Sequence, residues 1–383
     1  MKQGWEIKKL GEVCEVIGGS TPKTSDDTFW DGDYYWISPA ELDGSKYVYS
    51  TTRTITDAGV RSAHLQILPI GTVLLSSRAP IGKVAITKVP MYCNQGFKNL
   101  VCGKDLINEY VYWFLKHNTD YLNSLGTGAT FKEISKKVVE QIPIPVPPIA
   151  EQEKIVAELD CLSGIIEKKK QQLKELDNLA QSIFYEMFGD PVENDKGWEK
   201  KRLDEIGKVI TGNTPSTKDE SNYSSADYCF VKPSDIAKDS ISYISNTEFY
   251  VSEKAYIYSR QLPKGSVLTT CIGIIGKVGI LQKDATCNQQ INAIIPNKDI
   301  DAKFLAHVLF MIRDVLTDVA NAPIVPIINK KEFSSVSIPV PLFSLQQDFA
   351  SKIESIEKQK ELIAKSIKET ETWFNSRMDY YFN

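Results

Sequence analysis

The residues that could bind a metal or act as nucleophiles are seven cysteines and three histidines. No two cysteines form a Cys-x-x-Cys pair, and His64, His117 and His307 lie far apart in the sequence. A structural zinc site needs four such ligands at short, regular spacing. We therefore predict no metal site, and we interpret the cysteines as structural or incidental thiols.

Sequence motifs of common active sites are also missing. The segment Gly273-Ile274-Ile275-Gly276-Lys277 has the wrong spacing for a phosphate-binding loop, and Val278 stands where serine or threonine is required. We find no Gly-x-Gly-x-x-Gly after a strand, no Asn/Asp-Pro-Pro-aromatic tetrapeptide of amino-methyltransferases, no serine elbow and no His-Glu-x-x-His helix. The sequence therefore predicts a binding protein without catalytic activity of its own.

The chain contains the same pattern twice. Four motifs recur in the same order at an offset of 193 or 194 residues, namely Gly4-Trp5-Glu6 with Gly197-Trp198-Glu199, Ile81-Gly82-Lys83-Val84 with Ile275-Gly276-Lys277-Val278, Cys93-Asn94-Gln95 with Cys287-Asn288-Gln289, and Ile144-Pro145-Val146-Pro147 with Ile338-Pro339-Val340-Pro341. Solenoid repeats are only about 20 to 50 residues long. The pattern therefore indicates a duplicated domain with its connector.

Each copy begins with about 150 residues of short apolar runs separated by Gly, Pro and Asn, which predicts strands. Apolar residues at three and four spacing predict one amphipathic helix late in each copy, over 108–125 and 302–319. The Pro-rich stretches 142–148 and 338–341 are predicted to be stiff extended linkers, because proline is excluded from helix interiors. These features favour α+β domains at 1–150 and 189–343.

A long helix with a heptad seam is predicted after each domain, over 151–188 and 344–383. We predict that the seam consists of Ile155, Leu159, Leu162, Ile166, Leu173, Leu176, Ile183, Met187, Phe349, Ile353, Ile356, Ile363, Ile367 and Phe374. A narrow apolar stripe on a long helix needs a partner. That partner is either the other helix, in an antiparallel coiled coil, or the globular domain next to it.

The order of these motifs, their duplication and the two heptad helices resemble the specificity (S) subunit of Type I restriction-modification systems. The resemblance covers the full chain. It implies an α+β protein in which two homologous target-recognition domains are separated by a pair of long antiparallel coiled-coil helices, with a pseudo-two-fold internal repeat. Each domain would read one half of a bipartite, asymmetric DNA site, and the helices would set the spacer and dock the methyltransferase subunits.

The resemblance also implies partners. Two methyltransferase (M) subunits would bind S-adenosylmethionine, and restriction/motor (R) subunits would use ATP and Mg, so that this chain itself needs no cofactor. The sequence lacks a run of about 18 uncharged apolar residues and a signal-peptide core, which predicts a cytoplasmic protein without a membrane partner.

The net charge of −4 argues against a generally basic, nucleic-acid-coating protein, but its distribution changes that conclusion. The helical segments 151–188 and 344–383 together carry −4, whereas 1–150 and 189–343 carry +1 and −1. Residues 44–104 hold eight basic residues against one acid, Asp57. A basic face on a nearly neutral domain is compatible with DNA binding.

Arginine and lysine pair with guanine edges or phosphates, and asparagine and glutamine bond adenine bidentately. We therefore nominate as DNA-binding candidates Ser38, Arg78, Lys83, Asn94, Gln95, Lys98, Lys232, Lys277, Asn288, Gln289 and Gln290.

Some of these candidates have a structural alternative. Lys83 and Lys277 follow glycines and are equally compatible with solvated turns. Asn94-Gln95 occurs in both copies although the half-sites should differ, which favours a structural or phosphate-contacting role. Positions that differ, such as Arg78 against Ile272 and Ser38 against Lys232, are better candidates for base specificity. The run at 128–134 also differs from its counterpart at 322–328.

Two other functions remain open at the level of sequence. One is the recognition subunit of a related combined restriction-modification enzyme that is not of Type I, which the presence or absence of a separate motor gene would distinguish. The other is a duplicated coiled-coil scaffold that binds protein but no DNA. Salt-sensitive DNA binding by the assembled complex would exclude the scaffold, because phosphate contacts weaken as salt rises.

Overall fold

The computed structural model describes residues 5–78, 80–128, 132–320 and 325–383 of the 383-residue protein. The chain divides into two compact units. Unit 1 consists of Met1–Lys168 with Ser366–Asn383, and unit 2 consists of Lys169–Lys365. Each unit therefore contains one copy of the repeat and a part of each of the two long helices.

Both copies follow the same order of elements. The first copy consists of β1 (Glu6–Lys9), α1 (Leu10–Val13), β2 (Cys14–Gly18), β3 (Trp30–Ile37), β4 (Tyr47–Val48), β5 (Arg53–Ile55), α2 (Asp57–Ser62), β6 (Val73–Leu75), β7 (Val84–Thr87), β8 (Tyr92–Cys93), β9 (Lys98–Cys102), α3 (Asn108–His117), α4 (Thr119–Leu125), α5 (Lys136–Glu140), β10 (Pro143–Val146) and α6 (Ile149–Phe188). The second copy consists of β11 (Lys200–Arg202), α7 (Leu203–Ile206), β12 (Gly207–Thr211), β13 (Tyr228–Val231), β14 (Ser242–Ile244), β15 (Phe249–Val251), α8 (Glu253–Tyr258), β16 (Val267–Thr270), β17 (Val278–Leu281), β18 (Ala285–Cys287), β19 (Ile291–Pro296), α9 (Ala302–Met311), α10 (Arg313–Val319), α11 (Lys330–Ser335), β20 (Ser337–Pro339) and α12 (Phe343–Phe382).

The sheets have the same topology in both copies. A five-stranded sheet has the order β2-β9-β6-β7-β4 in the first copy and β12-β19-β16-β17-β14 in the second. A three-stranded sheet has the order β5-β3-β8 or β15-β13-β18, and a two-stranded sheet pairs β1 with β10 or β11 with β20. The parallel pairs are also equivalent, β3 with β8 and β13 with β18. The predicted duplication and the α+β class are confirmed.

Each predicted amphipathic helix is in fact two helices. The first is interrupted at Asn118 and the second at Ile312, both of which have φ near −90° and ψ near +20°. The Asn118 side chain donates a hydrogen bond to the carbonyl of Phe114 at 2.9 Å, which satisfies a carbonyl at the end of α3. The apolar pattern did not reveal the break because residues on both sides of it, such as Leu115 and Leu122, are fully buried.

The Pro-rich stretches are extended, as predicted, but they are strands rather than linkers. β10 pairs antiparallel with β1, so that Pro143 lies opposite Lys9 and Pro145 opposite Ile7. A two-stranded sheet tolerates alternate prolines because only one edge of each strand needs to donate hydrogen bonds. Ile144 between the prolines is fully buried, so the stretch belongs to the core of unit 1.

The two long helices pack together in both units. In unit 1 the Arg377 guanidinium of α12 donates to the Glu158 carboxylate of α6 at 2.9 Å. In unit 2 the Lys360 ammonium of α12 lies 2.8 Å from the Asp177 carboxylate of α6. The helices begin at Ile149 and Phe343, two residues and one residue before the predicted starts.

The predicted seam also contacts the globular domains. The most buried seam residues are Ile155, Leu159, Leu162, Ile166, Phe349, Ile353, Ile356 and Ile367. Leu173, Leu176, Ile183, Met187, Ile363 and Phe374 are half-buried. Ile155 and Leu159 belong to the core of the first domain, and Phe349 and Ile353 to that of the second. The two partners considered for each helix are therefore not exclusive, since both contribute to its burial.

A buried glutamine connects each domain to the start of its long helix. The Gln152 amide accepts a hydrogen bond from the backbone N–H of Ile107 and donates to the carbonyls of Asp105 and Pro147, all at 2.8 to 2.9 Å. Gln346 accepts from the N–H of Asp301 at 2.9 Å in the same way. Within the described residues, no helix is long and apolar enough to span a membrane.

Candidate nucleic-acid interface

Most candidates of the first copy lie together at one edge of the domain. Ser38 follows β3, Arg78 follows β6, and Asn94 and Gln95 follow β8. The backbone N–H of Asn94 donates to the carbonyl of Ile37 at 3.0 Å, which joins the ends of β3 and β8. The fold therefore brings residues that are distant in sequence into one group.

Three charged side chains form a partly exposed cluster at this edge. Arg78 Nε donates to Glu133 Oε2 at 2.9 Å, and Lys98 Nζ donates to Glu133 Oε1 at 3.3 Å. The Arg78 side chain is 45% exposed, whereas the Lys98 side chain is 14% exposed. Lys98 also donates to the Ser77 hydroxyl at 3.3 Å. Glu133 thus stands between two cations, of which Arg78 is the one that faces solvent.

The two cations lower the pKa of Glu133. Partial burial opposes its negative charge, but the hydrogen bonds from Arg78 and Lys98 outweigh this effect and hold the pKa of Glu133 below its ordinary value of 4.5. Two cations and one anion give the cluster a net charge of about +1 at neutral pH. The cluster can therefore attract a phosphate or a base edge that accepts hydrogen bonds.

Asn94 and Gln95 make contacts that shape the loop after β8. Asn94 Oδ1 accepts from the backbone N–H of Gly96 at 2.8 Å, which closes a local turn. Gln95 Oε1 accepts from the Thr21 hydroxyl. The loop that carries Thr21 passes so close to β8 that a Cβ on Gly19 would lie 2.1 Å from the carbonyl oxygen of Cys93. Only glycine fits there.

The Lys83 ammonium is directed inward. It donates to the backbone carbonyl of Leu42 at 2.8 Å and to that of Pro39 at 3.3 Å. Ser38 begins the 3₁₀ turn Pro39–Glu41, and its backbone N–H donates to the Glu41 carboxylate at 3.0 Å. Lys83 therefore holds the segment that carries Ser38.

The second copy reproduces these supporting contacts. Lys277 Nζ donates to the carbonyl of Pro233 at 2.8 Å, as Lys83 does to that of Pro39. Asn288 Oδ1 accepts from the N–H of Gln290 at 3.1 Å, and the Gln289 amide oxygen accepts from the Thr214 hydroxyl at 2.7 Å.

The three positions of the charged cluster carry different residues in the second copy. Ile272, Asn292 and Ile327 occupy the positions of Arg78, Lys98 and Glu133. The backbone bridge between Arg78 and Glu133 recurs between Ile272 and Ile327, so the residues are equivalent in structure as well as in alignment.

Lys232 takes the position of Ser38 in the second copy. Its Nζ lies 3.1 Å above the centre of the Phe249 ring, and its backbone N–H donates to the Asp235 carboxylate at 2.7 Å. A cation over an aromatic face is stabilised by the ring quadrupole. The ring therefore holds the lysine in a defined orientation.

Several other basic residues of the first copy bind within the protein. Lys46 pairs with Asp160 on α6, and the Arg53 guanidinium lies 3.6 Å above the centre of the Trp30 ring. In the described parts of the chain, no group of three His, Cys, Asp or Glu side chains could hold a metal ion. The candidate residues at this edge can therefore bind a ligand through hydrogen bonds and charge.

The family described as Type I restriction modification DNA specificity domain matches the chain twice, over residues 2–178 and 195–372. The chain belongs to this family. The two matches coincide with the two copies of the repeat, so each copy is one specificity domain.

Curated relatives carry related names. The chain is 37% identical over 253 residues to the Type I restriction enzyme MjaIX specificity subunit of Methanocaldococcus jannaschii, with 61% of this chain and 58% of the relative covered. It is 33% identical over 162 residues to the EcoR124I/EcoR124II specificity subunit of Escherichia coli, with 40% of each covered. These matches span about half the length of the relatives.

Two solved structures share the fold over the whole chain. One comes from a study of complex assembly and conformational transition of the type I R-M system, with a TM-score of 0.62, 19% identity, and 100% of this chain and 98% of the other covered. The second is the S subunit of a Type I system from M. genitalium, with a TM-score of 0.61, 14% identity and the same coverage.

Sequence reasoning missed Glu133, Phe249 and Thr21. Glu133 is the residue that organises the charged cluster, and the signal for it was present. Arg78 differs from Ile272, and the run 128–134 differs from 322–328; in sequence these are separate differences between the copies, but in the structure they are parts of one contact. Residues 129–131 of the first run and residues 322–324 of the second lie outside the described residues.

Proposed function

We propose that this chain is the DNA-recognition subunit of a Type I restriction-modification complex, in which each domain reads one half of a bipartite, asymmetric site. The observation that carries the proposal is the relation between the two copies. They share the contacts that hold the candidate interface, and they differ in what they present there, as Arg78 and Ile272 illustrate. Two domains that share one scaffold but expose different side chains are suited to a split DNA site whose two halves differ in sequence.

The proposal extends to partners and cofactors. Two methyltransferase (M) subunits bind S-adenosylmethionine, restriction/motor (R) subunits use ATP and Mg, and this chain is the non-catalytic subunit that directs them in the cytoplasm. Family membership and the likeness to a chain from a study of type I complex assembly support this part. The continuous 40-residue helices support a role in setting the spacer between half-sites, and we propose that the M subunits dock on them.

A domain exchange tests the function. We would co-express the chain with its M subunit and map methylated bases by long-read sequencing, first with the natural chain and then with residues 1–150 replaced by those of another family member. We expect one half of the methylated motif to change while the other half and the M subunit stay the same. The matched control replaces residues 189–343 and should change the opposite half.

Two results would contradict the proposal. One is a chain that does not associate with the M subunit in co-purification, and the other is a motif that neither exchange alters. DNA binding by the assembled complex should also weaken steeply as salt rises, because phosphate contacts release counterions. Salt-independent binding, or no binding, would favour a scaffold that contacts protein alone.

A further inference from the structure

The position occupied by Arg78 and Ile272 combines structural equivalence with opposite chemistry. In both copies this residue forms a backbone bridge to the strand-like segment that carries Glu133 or Ile327. In both copies it also lies just after the central strand of the five-stranded sheet, β6 or β16. The two side chains are therefore presented from the same point of the same fold.

The Arg78 guanidinium is held by one edge and leaves its other edge toward solvent. Its Nε donates to Glu133, and no described residue accepts a hydrogen bond from its two Nη atoms. Lys98, which donates to the other oxygen of Glu133, fixes the carboxylate in turn. A guanidinium oriented in this way presents two parallel donors, which match the O6 and N7 acceptors of guanine in the major groove.

The second copy presents apolar groups at the same place. Ile274 is 55% exposed, Val325 is 45% exposed and Ile327 is 42% exposed. Ile327 forms the backbone bridge to Ile272, and Ile274 and Val325 lie two residues along the chain from the two ends of this bridge. Of these four side chains, none can donate or accept a hydrogen bond. The only base feature in the major groove that suits an apolar surface is the C5-methyl group of thymine.

Resting on the proposed function, we propose that this edge determines specificity in both copies: Arg78, oriented by Glu133, reads a guanine in the first half-site, and Ile327, the counterpart of Glu133, contacts with Ile274 a thymine methyl group in the second. Lys98 is a positioning residue that acts through Glu133. The two half-sites then differ at this position in a defined way, with a G·C pair in one and a T·A pair in the other.

The first test compares Arg78→Lys with Arg78→Ile in the assembled complex. Lysine keeps the charge for a phosphate but lacks the planar fork of arginine, so it pairs with guanine O6 and N7 with less defined geometry. We expect Arg78→Ile to lose the preference for guanine over the other bases by about 5- to 150-fold at one position of the first half-site, as for a single bidentate pair, and Arg78→Lys to lose part of it at the same position. The second half-site should be unchanged. The matched control, Lys137→Gln on the exposed face of α5, removes one charge and should leave the motif intact.

The alternative for Arg78 is a phosphate contact, which gives a different result. Affinity would then fall uniformly for all sequences in Arg78→Ile, the salt slope would drop by about one, and Arg78→Lys would behave almost like the natural chain. That outcome, or an unchanged motif in both variants, would overturn the proposal. Glu133→Gln keeps the size of the side chain and leaves Arg78 in place. It should weaken the guanine preference without loss of folding, which separates the positioning role of Glu133 from a role in stability.

The second test leaves the natural chain unaltered, so misfolding is not an issue. Each thymine of the second half-site is replaced in turn by deoxyuridine, which lacks only the methyl group. We expect one replacement to weaken binding about four-fold, as for loss of one buried methyl group, and this difference should disappear in Ile274→Ala/Ile327→Ala. If no single replacement changes affinity, the assignment of the second domain is wrong. A natural complex that methylates no specific motif would instead contradict the proposed function itself.

Discussion

Lys83 and Lys277 donate to the carbonyls of equivalent prolines, whereas Arg78 and Ile272, which lie close to them in each copy, share no chemistry. Because the copies belong to one chain, this comparison separates two kinds of residue without any alignment of relatives. Side chains with the same partners in both copies maintain the frame, and side chains of this edge that change at equivalent positions are the candidates for what each copy binds.

The largest expected difference between the copies is in the cores. Phe184 of α6 is fully buried against Phe304 and Phe349, and its counterpart Met378 of α12 is 3% exposed in unit 1. We expect Phe184→Ala to lower the free energy of unfolding by about 3–5 kcal/mol. Met378→Ala should lower it by a smaller amount, in the range of about 2–5 kcal/mol, because methionine adapts to its surroundings. Urea denaturation, with hydrogen exchange to identify the unit affected, measures both.

The control for this prediction is Tyr185→Ala, since Tyr185 follows Phe184 on the same helix but is 46% exposed. It should change the unfolding free energy by less than about 1 kcal/mol. If Met378→Ala and Phe184→Ala lower the unfolding free energy equally, the two helix ends contribute alike and the expected difference between the two cores is wrong.

A smaller difference concerns pH. His307 is buried in unit 2, and burial, assisted by the nearby Lys360, lowers its pKa to about 4, although a hydrogen bond to the Lys303 carbonyl opposes the shift. Trp113, which does not titrate, occupies the equivalent position in unit 1. Because the unfolded histidine binds a proton near pH 6.5 and the folded one does not, stability is complete above pH 6.5 and is lost as pH falls toward 4.

We expect this histidine to lower the stability of unit 2 by about 2 kcal/mol between pH 7 and pH 5. Urea titrations of the natural chain and of His307→Gln at both pH values measure it, and the variant should show a flatter dependence. A pH dependence that is identical in the two proteins would show that His307 is protonated at little cost in the folded state.

The smallest expected effects are at the inward-facing lysines. Lys83→Met and Lys277→Met remove hydrogen-bond donors from partly buried carbonyls. We expect each variant to lower the unfolding free energy by about 1–2 kcal/mol. The effect should be larger for Lys83→Met, because Lys83 donates to two carbonyls. The slope of log affinity against log salt should not change in either variant. A slope that falls by about one would assign the lysine to a phosphate instead.

The duplication and the nature of most elements could be predicted because repeated motifs and apolar periodicity are local properties of a sequence. The breaks at Asn118 and Ile312 could not, since they depend on a single residue's backbone angles between two buried stretches. The pairing of β1 with β10 was equally hidden, because the contact joins residues more than a hundred positions apart and proline suggested a linker.

Within the candidate interface, sequence reasoning identified residue types but not the direction in which they point. Lys83 and Arg78 look alike as basic residues between strands, yet one donates to backbone carbonyls and the other to Glu133 beside solvent. Such directions are set by tertiary contacts with residues distant in the sequence, and Phe249 beneath Lys232 is a further example.

The order of the segments along the chain has a consequence for synthesis on the ribosome. The core of unit 1 includes Met378, Tyr381 and Phe382, and Phe382 packs against Tyr110 and Phe114. Unit 2, by contrast, is a single continuous segment from 169 to 365. At about 5–20 residues per second, Tyr110 and Phe114 therefore wait roughly 13–54 seconds for Phe382, which covers them. The second unit can be complete first, and we therefore expect the nascent first domain to be the part of the protein with the greater need for a chaperone.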